Sequence, residues 1–153
     1  MVPPATSVES PGSTAVAVPL TTVPVGAVAV EPYGITPDGM HIVFFAEVGP
    51  QDFITHTGDL YVVNADGTGL RRIASGVHPD ANNNGLWAPD PARPRLLFSR
   101  NADELYDVAN DRTTARGLGF WATWSPDGSR IAAWQDGVVV VDPDAAPFTA
   151  DEY

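Results

Sequence analysis

Short apolar runs separated by turn residues recur along this 153-residue chain, and none of them has the period of an amphipathic helix. The clearest runs are 33–35, 41–46, 60–63 and 70–74, which are rich in Val, Ile, Leu and aromatic residues. Such residues, bounded by Gly, Pro, Asn and Asp, are typical of strands. The pattern therefore predicts a four-stranded antiparallel unit in which consecutive strands are neighbours.

A turn built on Pro and Asp precedes the second strand of each repeat. It reads ITPDGMHI at 35–42 and WSPDGSRI at 124–131, and a copy at 87–94, WAPDPARP, lacks the glycine. Proline presets φ, aspartate bonds its own backbone, and glycine supplies the positive φ of a short hairpin. We therefore predict positive φ at Gly39 and Gly128. Three copies in register predict repeats of about 40–50 residues, the length of propeller blades.

The repeats divide the chain into a tail and three blades. Residues 1–14 are rich in Pro, Ser and Thr, and we predict that they form a disordered tail. Residues 15–153 are predicted to form an all-β partial β-propeller of about three four-stranded antiparallel blades. The predicted blade limits are about 33–76, 77–119 and 120–153.

Three blades cannot close the ring by which a propeller removes its exposed strand edges. The third blade also looks one strand short, because only residues 148–150 follow its last apolar run. Residues 15–20, by contrast, are β-prone and have no blade of their own, and the stretch that ends at Thr22 resembles the end of a fourth strand. We expect this segment to be an outer strand of a neighbouring blade. That blade would belong to a larger propeller or to a second copy in a homodimer.

Composition excludes several classes of partner and chemistry. The chain has 19 acidic and 8 basic residues, and its formal net charge is -11. All the basic residues are arginine, so a polyanion such as nucleic acid is a poor partner. The absence of Cys and Lys excludes disulfides, thiolate chemistry and lysine chemistry. We expect no membrane insertion, and the sequence shows no signal peptide.

No catalytic or metal-binding motif stands out. The sequence lacks a Gly-x-Ser-x-Gly elbow, a His-Glu-x-x-His zinc motif and a Walker loop. Residues 64–69 resemble the start of a calcium loop, but Ser75 occupies the place of its bidentate Glu. Turn chemistry accounts for Asp38, Asp90 and Asp127. We therefore predict no catalytic residue, no metal and no cofactor.

The two longest polar stretches, 49–58 and 77–85, are predicted to share one end of the blades. In a four-stranded meander the second turn and the link to the next blade lie together, opposite the first and third turns. Loops on a rigid scaffold carry function more often than the scaffold does. The candidate binding residues on this face are Gln51, Asp52, His56, His78, Asp80, Asn82, Asn83 and Asn84.

The repeats resemble those of TolB-type, WD40-like β-propellers. The resemblance lies in the aromatic-Ser/Thr-Pro-Asp-Gly turn and in LYVVNADGT at 60–68, followed by RRI at 71–73. It covers roughly residues 33–142, with the turn glycine missing at Pro91 and about half of the family's blades present. It implies a non-catalytic, extracytoplasmic scaffold, periplasmic or on the cell surface of a bacterium, that binds a protein or a small ligand. Similar repeats occur in prolyl-oligopeptidase-like peptidases, so a peptidase propeller domain is the alternative, and a metal-dependent propeller lactonase is a third.

Overall fold

The computed structural model describes seven stretches of the chain: 20–22, 24–49, 57–78, 86–100, 103–118, 120–134 and 136–146. Within them all regular structure is β-strand, in eleven strands. The predicted tail at 1–14, residues 15–19 and the predicted strand at 148–150 lie outside the described residues. Leu20 to Thr22 are described and are not in a strand, so the expected outer strand does not extend into them.

The first sheet is a meander of four antiparallel strands in chain order. Its strands are β1 (Ala27–Ile35), β2 (His41–Val48), β3 (Gly58–Asn64) and β4 (Arg71–Val77). β1 begins earlier than the pattern predicts and runs through Pro32. Proline is tolerated there because β1 is an edge strand, and a register shift follows between Pro32 and Gly34.

The second and third sheets repeat this order. The second contains β5 (Leu86–Trp87), β6 (Arg95–Ser99), β7 (Asp103–Asp107) and β8 (Arg112–Ala115). The third, within the described residues, contains β9 (Phe120–Trp124), β10 (Ile131–Trp134) and β11 (Val138–Val141), with β10 in the middle. Three meander sheets in succession make an all-β partial propeller, which confirms the predicted fold class.

The turns between the first two strands of each sheet share one hydrogen bond. Asp38 and Asp90 each accept a bond of 2.9 Å from the backbone N–H two residues later, and Asp127 accepts one of 3.0 Å. Gly39 has φ 72° and Gly128 has φ 71°, which confirms the predicted positive φ. The turn that lacks glycine therefore keeps the aspartate bond of the other two.

The sheets pack face to face in a fixed direction. Each sheet has two faces. We call forward the face that carries the residues five and seven positions after the aspartate of the sheet's first turn, and we call the opposite face backward. The forward face of the first sheet, with Phe45 and Val62, packs on the backward face of the second, with Leu96 and Phe98. These side chains and Tyr106 belong to the largest buried cluster among the described residues.

The second and third sheets pack in the same way. Leu97 and Leu105 on the forward face of the second sheet contact Ile131 and Ala133 on the backward face of the third. Alternate residues of β6 therefore serve two interfaces, and all five residues of this strand are buried. A strand that is buried on both faces shows a continuous apolar run in the sequence, and not an alternation of apolar and polar residues.

Candidate functional site at the second-turn end

The structure describes one residue of the predicted binding face. His78 follows β4 directly, and the other predicted binding residues lie outside the described residues: Gln51, Asp52, His56, Asp80, Asn82, Asn83 and Asn84. The expectation that Asp52 and His56 share an end with His78 stays a prediction, as does the binding role of the whole set.

Strand pairing fixes where His78 lies. Glu47 pairs with Gly58, which pairs with Val77, so the second turn and the exit of the first sheet are at the same end. We call this the second-turn end. The first and third turns meet at the opposite end, where the N–H of Ala65 donates to the carbonyl of Met40 at 2.8 Å. His78 therefore lies at the far end of the sheet from Asp38.

Buried polar side chains cluster at the second-turn end of the strands. Glu47 is the second-last residue of β2, Ser99 ends β6, and Asp103 and Glu104 begin β7; all four are buried. The hydroxyl of Ser99 donates to the carboxylate of Asp103. The N–H of His78 donates to the carbonyl of Ser99 at 3.4 Å, which joins the exit of the first blade to the second.

The second-turn end carries several acidic side chains, and an arginine compensates part of their negative charge. Burial raises the pKa of the Asp103 carboxyl, and the Ser99 bond opposes that rise. Arg100 donates to Oε1 of Glu104 from Nε at 2.9 Å and from Nη2 at 2.6 Å. Oε2 of Glu104 is buried and accepts no hydrogen bond from the part of the chain that the structure describes. The carboxyl groups of this end are therefore buried, and Arg100 compensates the charge of Glu104.

Sequence reasoning missed these buried carboxyl groups, although one signal was present. Glu47 interrupts the apolar run of β2, and Asp103 and Glu104 sit beside the apolar residues of β7. A charged residue inside a strand pattern is a mark of a partnered or functional group. In the described ranges, no three His, Asp or Glu side chains are placed to hold a metal ion.

At the opposite end an ion-pair network joins the second and third blades. The carboxylate of Asp144 accepts hydrogen bonds from Arg93 at 2.9 and 3.0 Å and from Arg95 at 3.0 Å. The Arg93 bond lowers the pKa of Asp144. The guanidinium of Arg95 also lies 5.0 Å from the ring centre of Trp124 in the third sheet. Because Arg93 and Arg95 of the second blade share the Asp144 carboxylate that follows the last strand of the third, the network links the two blades.

No helix among the described residues is long and apolar enough to cross a membrane. Neither a protein-family model nor a curated protein matches the chain. Among solved structures, the chain is similar to TolB from Acinetobacter baumannii, with a TM-score of 0.45 and 18% sequence identity. That match covers 76% of this chain and 30% of the TolB chain.

Proposed function

We propose that the chain is a non-catalytic TolB-like β-propeller scaffold of the bacterial cell envelope, which binds a protein at its second-turn end. The observation that carries the proposal is the stack of meander sheets, in which second turns and exit links are collected at one end. A rigid β-scaffold with its longer loops on one side is a common arrangement for binding.

The chemistry of that end favours a partner with basic groups. The chain has a formal net charge of -11, whereas the side chains of Glu47, Asp103 and Glu104 at that end are themselves buried. Arg or Lys side chains of a partner would meet complementary charge, which speeds association and makes it sensitive to salt. The non-catalytic part of the proposal is supported by the missing nucleophile and metal motifs in these 153 residues.

Photo-crosslinking can test the proposed binding end. A photoreactive amino acid would replace His78 at the second-turn end and, as the control, the exposed Met40 at the opposite end. We expect one protein from the envelope of the source cells to attach at position 78 and not at position 40. An excess of unlabelled chain should compete, and added salt should weaken the adduct. Equal labelling from both positions, or no adduct at position 78, would contradict the proposal.

Cell fractionation tests the proposed location separately. An antibody against the chain should detect it in the envelope or periplasmic fraction of the source cells. Detection in the cytoplasmic fraction alone would contradict the proposed envelope location. It would not bear on the proposed binding at the second-turn end.

A further inference from the structure

A cavity of about 480 Å³ opens on the forward face of the second sheet, beside the segment that follows the third sheet. Leu105 and Thr114, which pair across β7 and β8, lie in its lining. Asp144, which follows β11, also lines it. Cavities that hold small molecules have volumes of about 300–1,000 Å³ and a few polar groups that fix the orientation of the ligand. This cavity therefore has the size of a small-molecule site.

Arginine residues lie at both ends of this cavity along β8. Arg112 begins the strand and Arg116 follows its last residue, and both line the cavity with Thr114 between them. Alternate residues of a strand share a face, and four residues of strand span roughly 13 Å. Arg95 adds a third guanidinium group in the same cross-strand row, since it pairs with Asp107, which pairs with Arg112. Three of the 8 basic residues of the chain thus line one cavity.

The positive charge of these arginines is only partly compensated within the described residues. Arg93 and Arg95 share the single carboxylate of Asp144. Arg116 donates to two backbone carbonyls of the segment after β11, and such groups carry no net charge. Arg112 makes no hydrogen bond or ion pair with any described residue. The cavity therefore offers guanidinium donors that no described carboxylate engages.

Two carboxylates of the described lining oppose the three guanidinium groups. Besides Asp144, the lining includes Asp107, whose oxygens accept bonds of 3.1 and 2.8 Å from Asn110. Burial lowers the pKa of the Arg116 guanidinium; Asp144 opposes this fall, and the nearby Arg95 adds to it. These two arginines are therefore close enough to repel each other, and a bound anion would relieve the repulsion. Since charges more than about 8 Å away are largely screened at physiological salt, the local excess of arginine outweighs the net charge of -11 there.

We propose that this cavity binds a small organic molecule with two oxyanion groups, carboxylate or phosphate, at the ends of an extended chain. One oxyanion group binds the guanidinium of Arg112, the other lies toward Arg116, and the Thr114 hydroxyl donates between them. Guanidinium groups present paired N–H donors that match the oxygens of a carboxylate or a phosphate. The spacing of the two arginines along β8 favours a dianion over a single small ion. This inference goes beyond the proposed function and does not depend on a partner at the second-turn end.

Isothermal titration calorimetry on the full chain at constant ionic strength tests the proposal, with adipate and the bisphosphate of hexanediol as probes. We expect at least one probe to bind tenfold or more tightly than acetate or inorganic phosphate, which carry one oxyanion group. Arg112→Gln should weaken that binding at least tenfold. Arg112 is exposed, so the variant should fold, and circular dichroism checks this. Arg72→Gln is the matched control, because it removes the same charge from an exposed arginine of the first sheet that pairs with Asp59, and it should leave Kd unchanged.

A second variant tests the hydroxyl donor without changing the charge of the cavity. Thr114→Val should weaken the same binding severalfold. Tight binding of either probe supports the proposal, and the tighter of the two identifies the oxyanion that the cavity prefers. If neither probe binds, or if acetate and phosphate bind as tightly as the probes, the proposal is overturned. Equal losses in Arg112→Gln and Arg72→Gln would also overturn it, because the affinity would then come from the overall charge and not from the cavity.

Discussion

Removing the charge of Asp144 should loosen the contact between the second and third blades. Arg95 is 5% exposed in its side chain and depends on Asp144, which is 54% exposed, for its ion pair. Truncating one partner of a fully buried pair costs about 3–5 kcal/mol, whereas an exposed pair contributes about 0–1 kcal/mol. Since Asp144 is half exposed, we expect Asp144→Asn to lower the free energy of unfolding by about 1–3 kcal/mol. A loss of 2 kcal/mol would lower Tm by about 4–8 °C in a chain of this size.

A neighbouring ion pair provides the matched control. Asp142 is 51% exposed, close to the value for Asp144, but its partner Arg130 is 54% exposed. Asp142→Asn removes the same charge and leaves no buried arginine without a counter-charge, so it should cost about 0–1 kcal/mol. Urea unfolding of both variants at one protein concentration measures the difference. Equal losses in the two variants would refute the idea that the burial of Arg95 sets the magnitude.

The effect should also depend on pH with a definite sign. The pKa of Asp144 in the folded chain lies below its ordinary value of 3.8, chiefly because Arg93 donates a hydrogen bond to it. Its contribution to stability is therefore present above that ordinary value and is lost as pH falls through the lower folded pKa. The gap between the parent chain and Asp144→Asn should be constant near neutral pH and should disappear in strong acid. If the stability difference between the two chains persists in strong acid, packing and not the charge of Asp144 causes it.

Three other changes test the packing and the turns through urea unfolding midpoints. Phe45→Ala should cost about 3–5 kcal/mol, because it opens a cavity between the first two sheets; a loss under 1 kcal/mol would contradict the described core. Gly58→Ala should cost about 1–3 kcal/mol, since a Cβ there would lie 2.4 Å from the carbonyl oxygen of Ala46; an unchanged midpoint would show that β2 and β3 are further apart. Gly39→Val should cost about 1–2 kcal/mol from strain at φ 72° alone, because a Cβ built there meets no described residue within 4 Å apart from its two neighbours in the chain; a stabilised variant would rule out that turn conformation.

The sequence was sufficient for the local structure of the turns and for the order of strands. Gly39 and Gly128 have the positive φ that a Pro-Asp-Gly turn demands, because this requirement is local. The altered turn at Asp90 was recognisable for the same reason: its carboxylate binds a backbone N–H two residues on, whatever follows. Antiparallel neighbours joined by short turns then left few alternatives for each sheet.

Long-range features could not be predicted in the same way. β1 begins at Ala27 because Ala27 pairs with Val48 on the neighbouring strand. The sequence does not show this pairing, since Pro32 indicates a break in the strand. The burial of Asp103 depends on where β7 lies between two other sheets. Most of the candidate binding face falls on residues that the structure does not describe, so that part stays a prediction from turn parity.

The hydrogen bonds of the aspartate turns also bear on how the polypeptide ages chemically. Asp-Gly sequences isomerise when the glycine nitrogen attacks a protonated aspartate carboxyl and forms a succinimide. At Asp127 the bonds from Ser125 and Ser129 lower the pKa to about 2, which keeps that carboxyl ionised and slows the reaction. Peptide mapping after long storage should therefore find less isoaspartate at position 127 in the parent chain than in a variant that carries Ser125→Ala and Ser129→Ala.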